Sequence, residues 1–234
     1  MNILAIMCHP DDMEIYCGGT LVKYAKQGHK VTACHVANGN MGHVVIMPDE
    51  LREIRLGEAQ AAAAVGGLTA VTTDFGDLTV SGASVEQQKA LIKVIRDVKP
   101  DLIITHDPAD YCSDHREVSQ LVLKASFDAT CPHFYPELGD AVDLTPIYYA
   151  DTYKGLGFEP TEYVDITDEV ETKLQMAACH KSQIVWLKDH DNIDLIDDMR
   201  SVSRYRGYQC GVKYAECFRP LMLAGRIPTK RMLP

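Results

Sequence analysis

Short apolar runs alternate four times with longer segments of helical periodicity, and this alternation limits the fold more than any other feature of the sequence. Runs that are apolar at nearly every position are typical of strands buried on both faces, as in parallel sheets covered by helices. The pattern therefore predicts βαβ units with right-handed crossovers, in a doubly wound, mostly parallel, Rossmann-like α/β sheet. The predicted strands lie at 2–8, 30–37, 70–75 and 101–105, and the predicted helices at 14–27, 49–65, 84–98 and from 114 onward.

The second half of the chain is less regular. Strands are predicted at 146–150 and 163–166, followed by a helix at 168–180 and a polar, helix-prone extension. There is no linker-like stretch and no internal repeat, and 46% of the 234 residues are apolar, which is enough for one well-buried core. We therefore predict one α/β domain over residues 1–234 with a C-terminal extension.

Two of the predicted helices begin with capping signals. Ser84 is followed three residues later by Gln87, which is the form of a capping box. Asp114 with Glu117 predicts a second cap, at the start of the helix after the fourth strand.

Charge and composition exclude several classes of protein. The 33 Asp and Glu residues outnumber the 23 Lys and Arg, and the formal net charge of −10 disfavours nucleic acids and other polyanions as partners. No apolar run approaches the roughly 20 residues that span a bilayer. The first apolar run lacks the positive flank and cleavage site of a signal peptide, so we expect a cytoplasmic protein. The eight cysteines are scattered without a C-x-x-C pair, so we expect reduced thiols.

Ionisable residues follow the first and fourth predicted strands. The first strand runs into His9-Pro10-Asp11-Asp12, and the fourth runs into a polar loop from His106 to Arg116. Doubly wound sheets bind ligands outside the carboxyl ends of their strands, where the strand order changes direction, and the first and fourth strands commonly flank that point. We therefore expect the two loops to face each other.

A metal site is predicted if these loops meet. A catalytic Zn²⁺ usually takes three nitrogen or oxygen ligands and keeps one position for water, and His9, Asp12 and His115 match that number. His9 and Asp12 lie three residues apart in a turn stiffened by Pro10. Asp11 would then lie beside the ion but outside its ligand set, where a carboxylate can take a proton from the bound water.

A structural interpretation is open for each motif taken singly. His-Pro-Asp-Asp can start a helix, with Pro10 fixing the turn, and Asp114-His115 can be a second helix cap. The segment 39–42 could form a phosphate-binding nest, although a plain turn is the commoner outcome. Two ionisable loops at strand ends that the fold brings together favour the metal site over the structural interpretation. No G-x-G-x-x-G or P-loop motif supports a nucleotide cofactor.

Further motifs run along the rest of the chain. Gly18-Gly19-Thr20-Leu21 follows the first loop, and a glycine-containing turn follows the second strand. Together with His9 to Asp12, these motifs resemble the LmbE-like, or PIG-L, family of zinc-dependent N-deacetylases over nearly the whole chain. The other matching segments are 38–42, 50–58 with Arg55, 157–167, 180–183, 206–207 and 214–216.

The resemblance implies a fold like the predicted sheet and removal of an N-acetyl group, typically from a glucosamine conjugate. It implies Zn²⁺ as the cofactor, with Fe²⁺ as an alternative divalent ion, and it assigns metal binding to His9, Asp12 and His115. Asp11 takes the role of the general base. Relatives with this short architecture are often multimeric, so a homo-oligomer is a further expectation.

Two more residues take roles from the resemblance. Asp114, directly before a histidine ligand, would act in catalysis by orienting a ring nitrogen or tuning nearby acidity. Arg55 matches an arginine that reaches the substrate in relatives. From the residues alone, Arg55 would be interpreted as a solvated charge on a helix.

The chain departs from the family pattern at Cys112. Relatives usually have His-x-x-His where this chain has Cys112-Ser113-Asp114-His115, and the missing histidine is thought to stabilise the oxyanion or protonate the leaving amine. A thiol is a weak, neutral donor and does not replace an imidazolium directly. Tyr111 could supply a hydroxyl at this place in the substrate site, His180 could supply an imidazole, and Cys112 itself could bind the metal as a thiolate.

Two functions follow from these observations. The first is a metal-dependent hydrolase that removes an N-acetyl group from a glucosamine-type or related N-acyl conjugate. The alternative, motivated by Cys112, is a catalytically impaired relative that keeps the metal and binds a sugar or a partner. Because Asp11 and all three predicted ligands are present, we favour the enzyme. Specificity for the rest of the substrate is expected in the loops 42–48 and 131–143.

Overall fold

The computed structural model describes all 234 residues, and its centre is a seven-stranded mixed sheet. The strands are β1 Asn2–Met7, β2 Lys30–Ala37, β3 Thr69–Phe75, β4 Leu102–Thr105, β5 Ile147–Ala150, β6 Glu162–Asp165 and β7 Ala215–Pro220. Their order in the sheet is β3-β2-β1-β4-β5-β7-β6. Every pairing from β3 to β5 is parallel, whereas β7 runs antiparallel to both of its neighbours.

Seven helices cover both faces of this sheet. Helices α1, α2, α5, α6 and α7 pack on one face, and α3 and α4 pack on the other. Their bounds are α1 Asp12–Lys26, α2 Pro48–Gly66, α3 Val85–Val98, α4 Ser113–Asp128, α5 Val170–Ala177, α6 Lys181–Asp191 and α7 Leu195–Cys210. None of them is both long and apolar enough to cross a bilayer.

The position of β1 in the interior of the sheet explains why the first run is apolar at every position after Asn2. Its Ile3 and Ala5 pack into the core beneath α1, α5 and α7, whereas Leu4 and Ile6 pack into the core beneath α3 and α4. Both sets of side chains are completely buried. Side chains alternate between the two faces of a strand, so a strand covered on both faces is apolar throughout.

The predicted doubly wound, mostly parallel sheet is confirmed, and its first four strands and three following helices lie within one or two residues of their predicted bounds. Ser84 caps α3 as predicted, because its Oγ accepts a hydrogen bond from the N–H of Gln87 at 3.3 Å. The prediction that Asp114 caps α4 is wrong. The helix begins at Ser113 after an uncapped Cys112, and the Asp114 carboxylate accepts a hydrogen bond from the N–H of Leu78 instead.

The second half differs more from the prediction. The helix predicted at 168–180 is the shorter α5, and the extension after it contains α6, α7 and the strand β7. β7 inserts between β5 and β6, so its pairing partners are distant in sequence. All eight cysteines are free in this fold.

Glu216 on β7 links this late strand to the first helix. Its two carboxylate oxygens accept hydrogen bonds from the N–H groups of Gly19 at 2.9 Å and Thr20 at 2.7 Å, and Lys173 on α5 lies 2.7 Å away. Glu216 and Lys173 are both almost completely buried. A buried carboxylate that is paired and hydrogen-bonded fixes geometry, because loss of one partner leaves an uncompensated charge.

We predict that Glu216→Ala lowers the free energy of unfolding by about 3–5 kcal/mol, because it leaves the buried Lys173 ammonium without its counter-charge. Urea denaturation followed by circular dichroism measures the change. Glu171→Ala is the matched control, since Glu171 forms an exposed pair with Arg200 and its loss should leave the midpoint unchanged. Equal midpoints for the wild type and Glu216→Ala would contradict the anchoring role.

Candidate metal centre and active-site cleft

The candidate site lies at the carboxyl ends of β1 and β4, which are neighbours in the sheet. β1 leads into the turn from His9 to Asp12, and β4 leads into the loop that ends at the start of α4. Asp11 has a φ of 107°, a backbone conformation that residues other than glycine rarely adopt. Such conformations are often found at functional sites. The two loops meet as expected.

Three predicted ligand atoms form a nearly equilateral triangle. His9 Nδ1 lies 3.3 Å from His115 Nε2, and each of these nitrogens lies 3.4 Å from Asp12 Oδ2. Ligands at the usual zinc bond lengths in a tetrahedron are about 3.3 Å apart. These side chains therefore fit a small divalent cation, and the fourth tetrahedral position remains for another ligand.

Asp12 and His115 form a charged pair within this triangle. Burial alone would raise the pKa of the Asp12 carboxyl, but the neighbouring His115 and His106 outweigh burial and hold the pKa well below its usual value. Burial would lower the pKa of His115, yet Asp12 and Asp110 outweigh it and raise the pKa well above its usual value. Positive charge on the neighbouring histidine therefore balances the buried Asp12 carboxylate, and a metal ion held by the same atoms would supply that charge in its place.

Two further carboxylates support the histidine rings. Asp110 Oδ1 lies 3.1 Å from His115 Nδ1, and it also accepts a hydrogen bond from the N–H of Cys112 at 2.9 Å. Asp114 Oδ2 lies 3.5 Å from His9 Nε2. Carboxylates at the second nitrogen of a ligating histidine fix the ring orientation and raise its basicity. Asp114 thus contacts the ring of His9, and Asp110 contacts the ring of His115.

His106 forms the floor of the site. It is completely buried and stacks on His115 at a centroid distance of 3.9 Å, with an angle of 9° between the rings. Its Nε2 accepts a hydrogen bond from the N–H of Cys8 at 2.9 Å. Burial and the neighbouring His115 lower the pKa of His106 to about 4, so the ring is neutral at physiological pH.

Arg55 and Asp11 form a buried pair beside the ligand triangle. Arg55 Nη2 lies 3.1 Å from Asp11 Oδ2 and also donates to the carbonyl of Pro10, while Nη1 donates to the carbonyl of Gly39 at 3.3 Å. A Cβ at Gly39 would lie 2.5 Å from Arg55 Nη1, so this position has to be glycine for the guanidinium to reach the loop. Arg55 is therefore not a solvated charge. Burial raises the pKa of Asp11 even though Arg55 opposes that change.

These groups line an open cleft of about 310 Å³. The cleft is lined by the predicted residues His9, Asp11, Asp12, Arg55, Tyr111, Cys112, Asp114 and His115, and also by Ile15, Tyr16, Met41, Gly42, Asp77, Leu78, Tyr153, Gln183, Leu187 and Leu195.

The remaining predicted residues are placed differently. Tyr111 lines the cleft with its ring 5.9 Å from that of His115, edge to face. Cys112 also lines the cleft, but it belongs to no group of potential ligands whose atoms lie within 4.8 Å of one another. His180 is not in the cleft: it is completely buried, and its Nε2 lies 3.4 Å from Glu14 Oε2.

Only one of the two expected specificity loops borders the site. Gly42 lines the cleft, and its carbonyl accepts a hydrogen bond from Gln183 at 3.1 Å. The loop 131–143 lies elsewhere, because it leads into the amino end of β5. Arg96 donates hydrogen bonds to three of its carbonyls, those of Cys131, Phe134 and Tyr135. The expectation that this loop shapes the cleft is therefore wrong.

Several residues of the site had no role in the sequence analysis, among them His106, Asp110, Tyr16 and Gln183. Asp110 and His106 lie in the polar loop after the fourth strand, which the sequence predicted to face the site. The sequence alone does not show which carboxylates and imidazoles of that loop lie close to the ligand atoms. Tyr16 is buried in the first helix and lies edge to face with His106 at 5.5 Å and with His115 at 6.0 Å. Gln183 comes from α6, whose contact with the cleft has no local signal.

The fold and the site together define an α/β protein with a candidate catalytic metal centre that opens into a cleft at the topological switch point of its sheet. The profile of the PIG-L family, described as GlcNAc-PI de-N-acetylase, matches residues 4–126. This chain belongs to the PIG-L family.

Individual relatives agree with this assignment. Diacetylchitobiose deacetylase of Thermococcus kodakarensis is 30% identical over 229 residues, covering 93% of this chain and 82% of that protein. The structure of N,N'-diacetylchitobiose deacetylase from Pyrococcus horikoshii superposes with a TM-score of 0.79 and 28% identity, over 94% of this chain and 84% of that one. GalB, the 4-carboxy-2-hydroxymuconate hydratase of Pseudomonas putida KT2440, has a TM-score of 0.83 over 99% of this chain and 100% of that one. At 22% identity it shows the fold alone.

We predict that His115→Ala loses stoichiometric metal while the sheet stays folded, because the triangle then has only two ligand atoms. Asp110→Asn keeps His115 as a ligand but removes the carboxylate that orients its ring, so metal affinity should weaken roughly 10–100-fold. Elemental analysis and competition with a chelator measure both effects. His190→Ala, at an exposed position on α6, is the control. Full occupancy in His115→Ala would rule out this ligand set.

Proposed function

We propose that this protein is a zinc-dependent N-deacetylase that hydrolyses the acetamide of a glucosamine-type conjugate or a related N-acyl small molecule. The observation that carries the proposal is the triangle of His9, Asp12 and His115 with the Asp11 carboxylate beside it, in an open cleft. Fe²⁺ is the alternative ion for the same ligands. The family membership and the names of the relatives support this reaction class.

The proposed ion, held by His9, Asp12 and His115, would supply Lewis acidity at the acetamide carbonyl and lower the pKa of water. Asp11 is the proposed base that takes the proton from the attacking water. Its raised pKa suits that role, because a base is most effective when its pKa approaches the working pH. Arg55 holds the Asp11 carboxylate in place through the contact at 3.1 Å.

The leaving amine needs a proton, and the oxyanion needs a donor. Cys112 occupies the position where relatives usually have a histidine. Burial raises the pKa of its thiol, but the hydrogen bond and charge of His115 outweigh burial and lower the pKa below its usual value. Two tyrosines line the cleft near His115, the exposed Tyr111 and the buried Tyr16. Either hydroxyl is a candidate donor, whereas the buried His180 is not.

The alternative function is a catalytically impaired member of the family that binds metal and a sugar or a partner without turnover. Cys112 is the observation that favours it, since this chain has no histidine at position 112. Retention of Asp11 and of the complete ligand triangle favours the enzyme. A single domain, a cytoplasmic location and a homo-oligomer stay predictions.

The decisive experiment measures acetate release by the zinc-loaded protein from a panel of N-acetylglucosamine conjugates. Asp11→Asn should keep the metal and lower turnover about 10²–10⁴-fold, because the base is removed. Asp49→Asn, at an exposed position of α2, should keep full activity. Absence of acetate release from every conjugate by a metal-loaded protein would favour the alternative function. Full activity of Asp11→Asn would contradict the role of the base.

We predict that Cys112→His raises kcat about 10²–10³-fold if no other group fills the place of the missing donor, since one oxyanion donor contributes about that much. If Tyr111 or Tyr16 already fills it, the new imidazole should give no gain. Cys112→Ser tests a third case, in which Cys112 binds the metal as a thiolate. Loss of that ligand would weaken metal affinity as well as change the rate. Steady-state kinetics and chelator competition on both variants distinguish these outcomes. Unchanged rate and affinity in both would make Cys112 a bystander.

A further inference from the structure

We infer that the cleft binds its acetamido sugar as an uncharged glycoside, packs the sugar ring against an aromatic wall formed by Tyr111 and Tyr153, and discriminates against sugars that carry phosphate or carboxylate. This inference rests on the proposed function and narrows its substrate class.

The first argument is the charge of the cleft. Four aspartates line it, and Arg55 is the one Lys or Arg side chain among the lining residues. Arg55 is almost completely buried and already contacts Asp11 and the carbonyls of Pro10 and Gly39. Away from the proposed ion, an anionic substituent would therefore meet carboxylates without gaining a free cation from the lining residues. Lys154, which lies over the ring of Tyr153, is already paired with Asp198 at 3.1 Å. Like charges brought together at an interface cost several kcal/mol.

The second argument concerns the backbone donors around the cleft, which could otherwise hold a phosphate. Asp77 accepts hydrogen bonds from the N–H groups of Gly39 at 2.8 Å and Met41 at 3.1 Å. Asp114 accepts one from the N–H of Leu78 at 2.7 Å. The Asp77 carboxylate thus already occupies the backbone donors of the glycine-containing turn, so the interpretation of segment 39–42 as a phosphate-binding nest is wrong.

The third argument is the apolar character of the rim. Tyr111 is 68% exposed, and its ring lies 5.4 Å from that of Tyr153 at an angle of 36°. Leu78 and Met41, which also line the cleft, are 77% and 52% exposed. Large exposed apolar side chains grouped at a cleft are typical of binding surfaces, and aromatic rings offer both an apolar face and a hydroxyl. A pyranose ring combines an apolar C–H face with hydroxyl groups, so it matches this wall.

The test compares the zinc-loaded full chain with methyl N-acetylglucosaminide, N,N'-diacetylchitobiose and N-acetylglucosamine 6-phosphate. Both affinity, by calorimetry, and kcat/KM are measured. The uncharged sugars should bind at least about tenfold more tightly than the phosphate. Equal or tighter binding of the phosphate, or binding of none of the three, overturns the inference. Binding with the expected preference but without acetate release would support the inference while the proposed function fails.

Two variants and a control test the wall directly. Tyr111→Ala and Tyr153→Ala should each weaken binding of the uncharged sugars roughly 3–10-fold, the range expected for one aromatic contact. Tyr208→Ala, an exposed tyrosine of α7 that does not line the cleft, should bind as the wild type does. Leu78→Lys places a cation at the rim and should tighten binding of the 6-phosphate. Unchanged affinities in all three cleft variants would overturn the inference.

Discussion

The parallel pairing of β1 with β4 is the contact on which the candidate site depends. This pairing places Ile6 opposite Thr105, so both strands end at the same edge of the sheet. The turn after β1 contributes His9 and Asp12, and the helix after β4 contributes His115. His115 could not approach His9 and Asp12 if β4 lay elsewhere in the strand order. The chemistry of the cleft is therefore a consequence of topology, as in other doubly wound sheets.

The strands and helices of the first half could be predicted from the sequence because each of them has its own local pattern. Runs such as 2–8 are apolar at nearly every position, and Ser84 with Gln87 predicts the start of a helix. The site could be anticipated for the same reason, since strand ends in a parallel sheet share one edge. β7 has no comparable local signal. Its Glu216 and Arg219 are charged, and it becomes a strand through pairing with β5 and β6 and through the contacts of Glu216 with α1.

The roles of individual side chains were harder to predict than the position of the site. Arg55 looked like a helix charge, yet the absence of a side chain at Gly39 lets it reach the turn after β1. His180 was a candidate imidazole for the substrate site, yet it lies buried against Glu14. These outcomes depend on packing between distant elements, which periodicity does not encode. The hydratase that shares the fold shows in the same way that the sheet alone does not determine the reaction.

The anchor at Glu216 has a consequence for how the protein is made. The three proposed ligands all lie within the first 115 residues, so a ribosome would complete the ligand set when half of the chain is still to be synthesised. The helix that begins at Asp12 receives two hydrogen bonds from a carboxylate on β7. A nascent chain would thus display the ligands long before this helix is held in place. We therefore expect the helix that carries Asp12 to be held in place only after residue 216 has left the ribosome.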